Sequence, residues 1–83
     1  MTIEQLIAKA CGNGSQAALA REIGVHPSVI TQAKTGKACP PWVVVRMAEI
    51  ARVDPVRAVV EYLESSASGE DEIATWKRLL RTL

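Results

Sequence analysis

Cysteine and histidine are scarce in this chain of 83 residues, and the shortage excludes two kinds of site. The only cysteines are Cys11 and Cys39, and the only histidine is His26. This set has neither the paired spacing of a disulfide framework nor the four ligands of a zinc site. We therefore expect free thiols in a reducing compartment, with no metal and no cofactor.

Long hydrophobic runs are also missing. Uninterrupted apolar stretches reach four residues, as at positions 42–45, whereas a membrane-spanning helix needs ~20. No basic segment followed by an apolar one opens the chain, so the sequence predicts a cytoplasmic protein without a membrane partner. His26 and Ser28 have no carboxylate nearby in sequence to orient a nucleophile pair, and no other grouping suggests catalysis. We expect neither an enzyme nor a small-molecule substrate.

The charges are nearly balanced, with a net charge of +1, but they are unevenly distributed. Residues 1–52 contain six basic and three acidic side chains, whereas residues 53–83 contain four basic and six acidic ones. No acidic residue lies between Glu22 and Glu49, and Lys34, Lys37 and Arg46 fall inside that window. A surface that binds a polyanion is therefore expected there.

Capping residues and apolar spacing predict an all-α fold. Residues 1–65 are predicted to form a compact five-helix domain, and residues 66–83 a linker and an additional C-terminal amphipathic helix. Residues 42–45 also have strand character, so a strand is the alternative to the fourth helix. The predicted helix starts are Thr2 with Gln5 as a capping box, Ser15, Pro27, the Pro40-Pro41 pair, Asp54 and Ser68. Glycines 12, 24 and 36 are predicted to end the first three helices.

The second and third predicted helices are joined by a short turn at Gly24. Ala20, Gly24 and Ala33 are small enough to let the two helices pack at a steep angle. The outward face of the third helix is then polar but uncharged, which suits hydrogen bonding to base edges. It contains Ser28, Thr31, Gln32 and Thr35. The apolar pattern alone would also fit two packed helices of any small bundle.

Residues 15–36, SQAALAREIGVHPSVITQAKTG, resemble the helix-turn-helix of the Cro and lambda-repressor-like DNA-binding proteins. A looser similarity extends over residues 2–64. The match depends on Gln16, Leu19, Ala20, Ile23, the Gly24-Val25 turn, Ser28, Ile30 and Ala33.

The resemblance implies a lambda-repressor-like domain that places its third helix in the major groove, usually as a homodimer on a near-palindromic double-stranded DNA operator. By position in the motif, the implied base-contacting residues are Ser28, Val29, Thr31 and Gln32. The implied phosphate-contacting residues are Ser15, Gln16, Lys34, Thr35 and Lys37. Three positions depart from the family pattern: His26 replaces a common Ser, Thr or Asn cap, Pro27 replaces a base-reading Gln, and Arg52 replaces a helix-ending Gly.

The last predicted helix carries an apolar stripe with helical spacing. Its members are Ile73, Trp76, Leu79, Leu80 and Leu83. An isolated helix of ~14 residues is marginal in water, so the stripe needs a packing partner. It either folds back beside the fifth helix or forms the contact between two copies.

Together these features predict a dimeric repressor of a phage, prophage or other mobile element that acts by occluding a promoter. The mobile-element part follows only from the resemblance. The alternative is an antitoxin-type interaction module, which binds a partner protein through its C-terminal helix and regulates its own operon through the same helix-turn-helix.

Overall fold

The computed structural model describes residues 2–37 and 39–83, and every regular element among them is a helix. The all-α prediction is confirmed, and the alternative of a strand at 42–45 is wrong, because these residues lie in a helix. The helices are α1 Ile3–Cys11, α2 Gln16–Ile23, α3 Pro27–Lys34, α4 Pro41–Ala51, α5 Pro55–Ser66 and α6 Glu70–Arg81. None of them, within the described ranges, has the length and apolar character needed to cross a membrane.

Side-chain caps begin several of the helices where the sequence predicted them. Thr2 and Gln5 form a reciprocal capping box, with N···O distances of 2.9 and 3.2 Å. Ser15 Oγ accepts a hydrogen bond from the Ala18 amide at 3.1 Å, and Asp54 caps α5. The predicted cap of α6 is wrong: its N-cap residue is Gly69 instead of Ser68, and no side chain caps this helix.

Gly24 and Arg52 both end helices with a positive φ, but only one of them is a glycine. Gly24 has φ +93°, yet a Cβ added there would meet nothing within 4 Å. Backbone conformation, not close packing, therefore requires this glycine. Arg52 has φ 60° and ψ 40° at the end of α4, so a side chain occupies a left-handed position that usually favours glycine.

The core lies where α4 packs against α1, α2 and α5, and where α3 packs against α1 and α2. Four α4 side chains, Val43, Val44, Met47 and Ala48, are completely inaccessible to solvent. The other buried apolar side chains are Leu6, Ile7, Leu19, Ala20, Ile23, Ile30, Ala33, Cys39, Ala51 and Val60.

Helix α6 packs against α5, so part of its apolar stripe is covered within one chain. Ile73, Trp76 and Leu80 are half-buried, but no residue of α6 is fully buried. Leu79 and Leu83 remain 40% and 47% exposed. The stripe is therefore divided into a half-buried part and an exposed edge.

Candidate nucleic-acid interface

The turn between α2 and α3 sets the direction of α3. The amides of Gly24 and Val25 both donate to the Ala20 carbonyl, at 2.8 and 2.9 Å, which ends α2 sharply. Ile30 and Ala33 of α3 are buried, with 0% and 2% of their surface exposed. Because this side of α3 enters the core, the opposite side must face solvent.

His26 caps α3, although it departs from the usual cap residues of the family that the segment resembles. Its Nδ1 accepts a hydrogen bond from the Ser28 amide at 3.1 Å and lies 2.9 Å from Ser28 Oγ. Pro27 follows as the first helical residue, where a missing amide proton has no consequence. An imidazole therefore performs the capping role usually given to a hydroxyl or an amide.

The four predicted base-contacting residues differ in their exposure. Ser28, Thr31 and Gln32 are exposed, whereas Val29 is half-buried and packs against the core. The Ser28 hydroxyl contacts His26, and Thr31 Oγ1 donates to the Pro27 carbonyl at 3.4 Å. The side-chain amide of Gln32 forms no hydrogen bond with any residue in the described part of the chain.

The predicted phosphate-contacting residues lie at two places. Lys34, Thr35 and Lys37 are exposed at the C-terminal end of α3, and Thr35 Oγ1 donates to the Gln32 carbonyl at 3.0 Å. Ser15 and Gln16 lie at the start of α2, where the Ser15 hydroxyl already caps the helix and Gln16 is half-buried. Free backbone amides at a helix start of this kind favour a bound anion.

The surface around α3 is less uniformly positive than the window between Glu22 and Glu49, which has no acidic residue, predicts. Glu4 of α1 lines a shallow groove of about 480 Å³ together with Lys34 and Thr35. Arg46, which the basic window included, forms an ion pair with Glu49 at 3.5 Å. Lys34 and Lys37 lie at the end of α3, and neither forms an ion pair with a described residue.

Tyr62 of α5 fastens the segment that follows α3, a contact that sequence reasoning missed. Its hydroxyl accepts from the Cys39 amide at 2.8 Å and donates to the Cys39 carbonyl at 3.2 Å. Burial raises the pKa of the Cys39 thiol and also that of the Tyr62 phenol. Periodicity could not reveal this contact, because the two residues lie in different segments and no local pattern links them.

Cys11 and Cys39 are free thiols, and no cluster of three or more His, Cys, Asp or Glu side chains within residues 2–37 and 39–83 could hold a metal ion.

Comparisons with protein-family models, with curated proteins and with solved structures found no match for this chain.

Proposed function

We propose that this protein is a sequence-specific double-stranded DNA-binding regulator that inserts α3 into the major groove. The observation that carries the proposal is the Gln32 amide, which is exposed and has no hydrogen-bond partner among the described residues. It lies on a helix whose other side is anchored by the buried Ile30 and Ala33. A free amide can donate and accept at once, and so can pair with both edge atoms of adenine.

The Thr31 hydroxyl, next to Gln32, adds a preference for bases that donate a hydrogen bond. Thr31 uses its proton in the bond to the Pro27 carbonyl, so its oxygen retains lone pairs for accepting hydrogen bonds. Base amino groups, on adenine N6 or cytosine N4, are therefore its expected partners in the groove. Each well-formed base contact contributes ~1–3 kcal/mol of discrimination against the wrong base.

The cations at the C-terminal end of α3 add affinity for DNA without adding sequence preference. Lys34 and Lys37 are exposed at the end of the helix, where a duplex accepting α3 would bring its phosphates. Each phosphate contact releases condensed counterions, so binding should weaken steeply with salt. Glu4, which lines the same groove as Lys34, opposes part of this attraction.

The resemblance of residues 15–36 to Cro and lambda-repressor-like proteins supports the finer part of the proposal. By that similarity the regulator acts as a dimeric repressor, of phage, prophage or mobile-element type, that occludes a promoter. The bound duplex would contain two half-sites related by a two-fold axis.

Selection of bound duplexes from a fragmented source genome tests the proposal. The wild-type chain should enrich a two-fold-symmetric sequence, and Gln32→Ala should lose that enrichment while its circular dichroism spectrum is unchanged. Asn13→Ala, which removes an exposed amide outside α3, is the matched control and should retain the preference. If the wild-type chain retains no duplex of any sequence at low ionic strength, the proposal is wrong.

A further inference from the structure

A cleft of about 590 Å³ lies where α1, α5 and the end of α6 meet. It reaches into the core, because the buried side chains of Leu6 and Val44 line it. The rest of its apolar lining comes from Ile3, Ala58 and Leu80. Ligand sites are typically clefts of roughly 300–1,000 Å³ with an apolar lining and a few polar groups. This cleft therefore has the size and the composition of a small-molecule site.

The charged groups of the cleft have one sign. Glu61 and Glu64 line it, and none of the described residues around it is basic. Glu61 Oε1 already accepts a hydrogen bond from Arg57 Nε at 3.1 Å. Glu64 is half-buried, and its carboxylate forms no hydrogen bond or ion pair with a described residue. A partly buried charge without a partner is unfavourable, so a cation at Glu64 would stabilise it.

The hydroxyl groups of the cleft act mainly as acceptors. The Ser65 hydroxyl donates its proton to the Tyr62 carbonyl at 2.9 Å, and the Tyr62 hydroxyl donates its own to the Cys39 carbonyl at 3.2 Å. Each of these oxygens has only lone pairs left for a ligand. Thr2 and Gln5, which complete the polar lining, bind each other in the capping box of α1. A ligand that donates hydrogen bonds and is positively charged therefore suits this lining better than an anion.

We propose that this cleft binds a small organic cation with an apolar body, of which a primary alkylamine is the simplest example. The ammonium group lies at Glu64, where it donates hydrogen bonds to the carboxylate and neutralises its charge. The hydrocarbon leaves water and lies against Leu6, Val44 and Leu80. No local sequence pattern indicates this ligand, because the lining is assembled from α1, α4, α5 and α6. The inference goes beyond the proposed binding of DNA and does not rest on it.

Helix α6 supplies one wall of the cleft through Leu80, and its own packing on α5 is incomplete. No residue of α6 is fully buried, and no side chain caps its first turn. The indole nitrogen of Trp76 is buried but forms no hydrogen bond with a described residue, which lowers the stability of this packing. A ligand that contacts Leu80 and α5 together binds more tightly when α6 is packed on α5. Binding therefore stabilises the packed position of α6.

Calorimetric titration of the full chain with octylamine, octanol and octanoate tests the proposal, because these compounds share one alkyl chain length and differ in their head groups. Octylamine should bind in a saturable manner. The other two should bind more weakly by about tenfold or more, since octanol lacks the positive charge and octanoate is repelled by Glu61 and Glu64. In nuclear magnetic resonance spectra, octylamine should shift the amide resonances of residues around the cleft.

Three isosteric variants test which carboxylate holds the ammonium group. Glu64→Gln removes the charge with little change of shape and should weaken octylamine binding by about tenfold. Glu61→Gln should weaken it less, because Arg57 already offsets that charge. Glu22→Gln, on the exposed side of α2, is the matched control and should leave the affinity unchanged. Circular dichroism checks that all three variants remain folded.

Two neighbouring leucines of α6 test the apolar wall. Leu80→Ala should weaken octylamine binding, whereas Leu79→Ala should not, because Leu79 is exposed and does not line the cleft. Octylamine should also slow tryptic cleavage at the exposed Lys77 and Arg78 of the wild-type chain, since it stabilises α6 on α5. Octanoate at the same concentration should not slow it.

A wild-type chain that shows no saturable binding of octylamine would overturn the inference. Equal affinities for octylamine and octanol would also overturn it, because the cleft would then not recognise the positive charge. Full affinity of Glu64→Gln, or resonance shifts confined to surfaces outside the cleft, would overturn the placement of the ligand. None of these titrations contains DNA, so their failure leaves the proposed regulator untouched.

Discussion

The Tyr62 hydroxyl binds both backbone groups of Cys39, accepting from its amide at 2.8 Å and donating to its carbonyl at 3.2 Å. One side chain of α5 thereby holds Cys39, which is buried in the core two residues before α4 begins. Lys34 and Lys37, at the end of α3, precede Cys39 by five and two positions in the sequence. A residue of α5 thus fixes a backbone position that is close in sequence to the candidate DNA-binding surface.

Removing that hydroxyl should destabilise the fold. Tyr62→Phe keeps the ring but leaves the Cys39 amide and carbonyl without their partner, which costs ~1–3 kcal/mol when the groups are shielded from water. Urea unfolding should measure this loss. Ser65→Ala, which removes an exposed hydroxyl from the same helix, is the control and should change stability by less. Equal stability of Tyr62→Phe and wild type would contradict the structural role assigned to the hydroxyl.

Stability should decline in alkaline solution. Burial raises the pKa of Cys39 above its ordinary 9.0 and that of Tyr62 above its ordinary 10.0, so the folded state favours both neutral forms. This contribution is complete below the unfolded pKa values and is lost as pH rises through the folded ones. The free energy of unfolding, measured by urea titration, should therefore be lower at pH values above 9 than at neutral pH. The double variant Cys39→Ala with Tyr62→Phe should show a shallower decline, and an identical decline would assign the effect to other groups.

Arg52→Gly should stabilise the chain. Arg52 holds φ 60° and ψ 40°, a conformation that costs an L residue ~1 kcal/mol more than glycine. The gain in unfolding free energy should be of this order or smaller, because glycine also makes the unfolded chain more flexible. Arg52→Ala keeps the strained Cβ and should show no such gain in thermal unfolding. If alanine stabilises as much as glycine, backbone strain is not the cause.

The charges near α3 should have opposite effects on DNA affinity. Lys37→Ala should weaken binding to all duplexes and reduce the slope of log affinity against log salt by about one. Glu4→Gln should strengthen binding, because Glu4 shares a groove with Lys34. Fluorescence anisotropy across a salt series measures both, with Lys9→Ala on α1 as a control. Unchanged salt slopes would show that these side chains remain solvated and do not contact phosphates.

The candidate site was only partly predictable from sequence. Spacing placed Ser28, Thr31 and Gln32 on the exposed side of a helix, because a helix that buries Ile30 and Ala33 must turn the intervening positions outward. The resemblance adds Val29 to the base-contacting residues, yet this side chain is half-buried against the core. Its exposure depends on how deeply α3 sits among its neighbours, which helical periodicity does not encode.

Local chemistry in the sequence by itself determined the helical class and most of the helix starts. A cap such as Thr2, Ser15 or Asp54 acts within three residues, so its partner is known before the chain folds. Only the tertiary structure decided that Glu4 and Lys34 line one groove, that Tyr62 binds the Cys39 backbone, and that α6 leaves Leu79 exposed. These relationships join segments distant along the chain, and they depend on how the helices pack around α4, which no local pattern specifies.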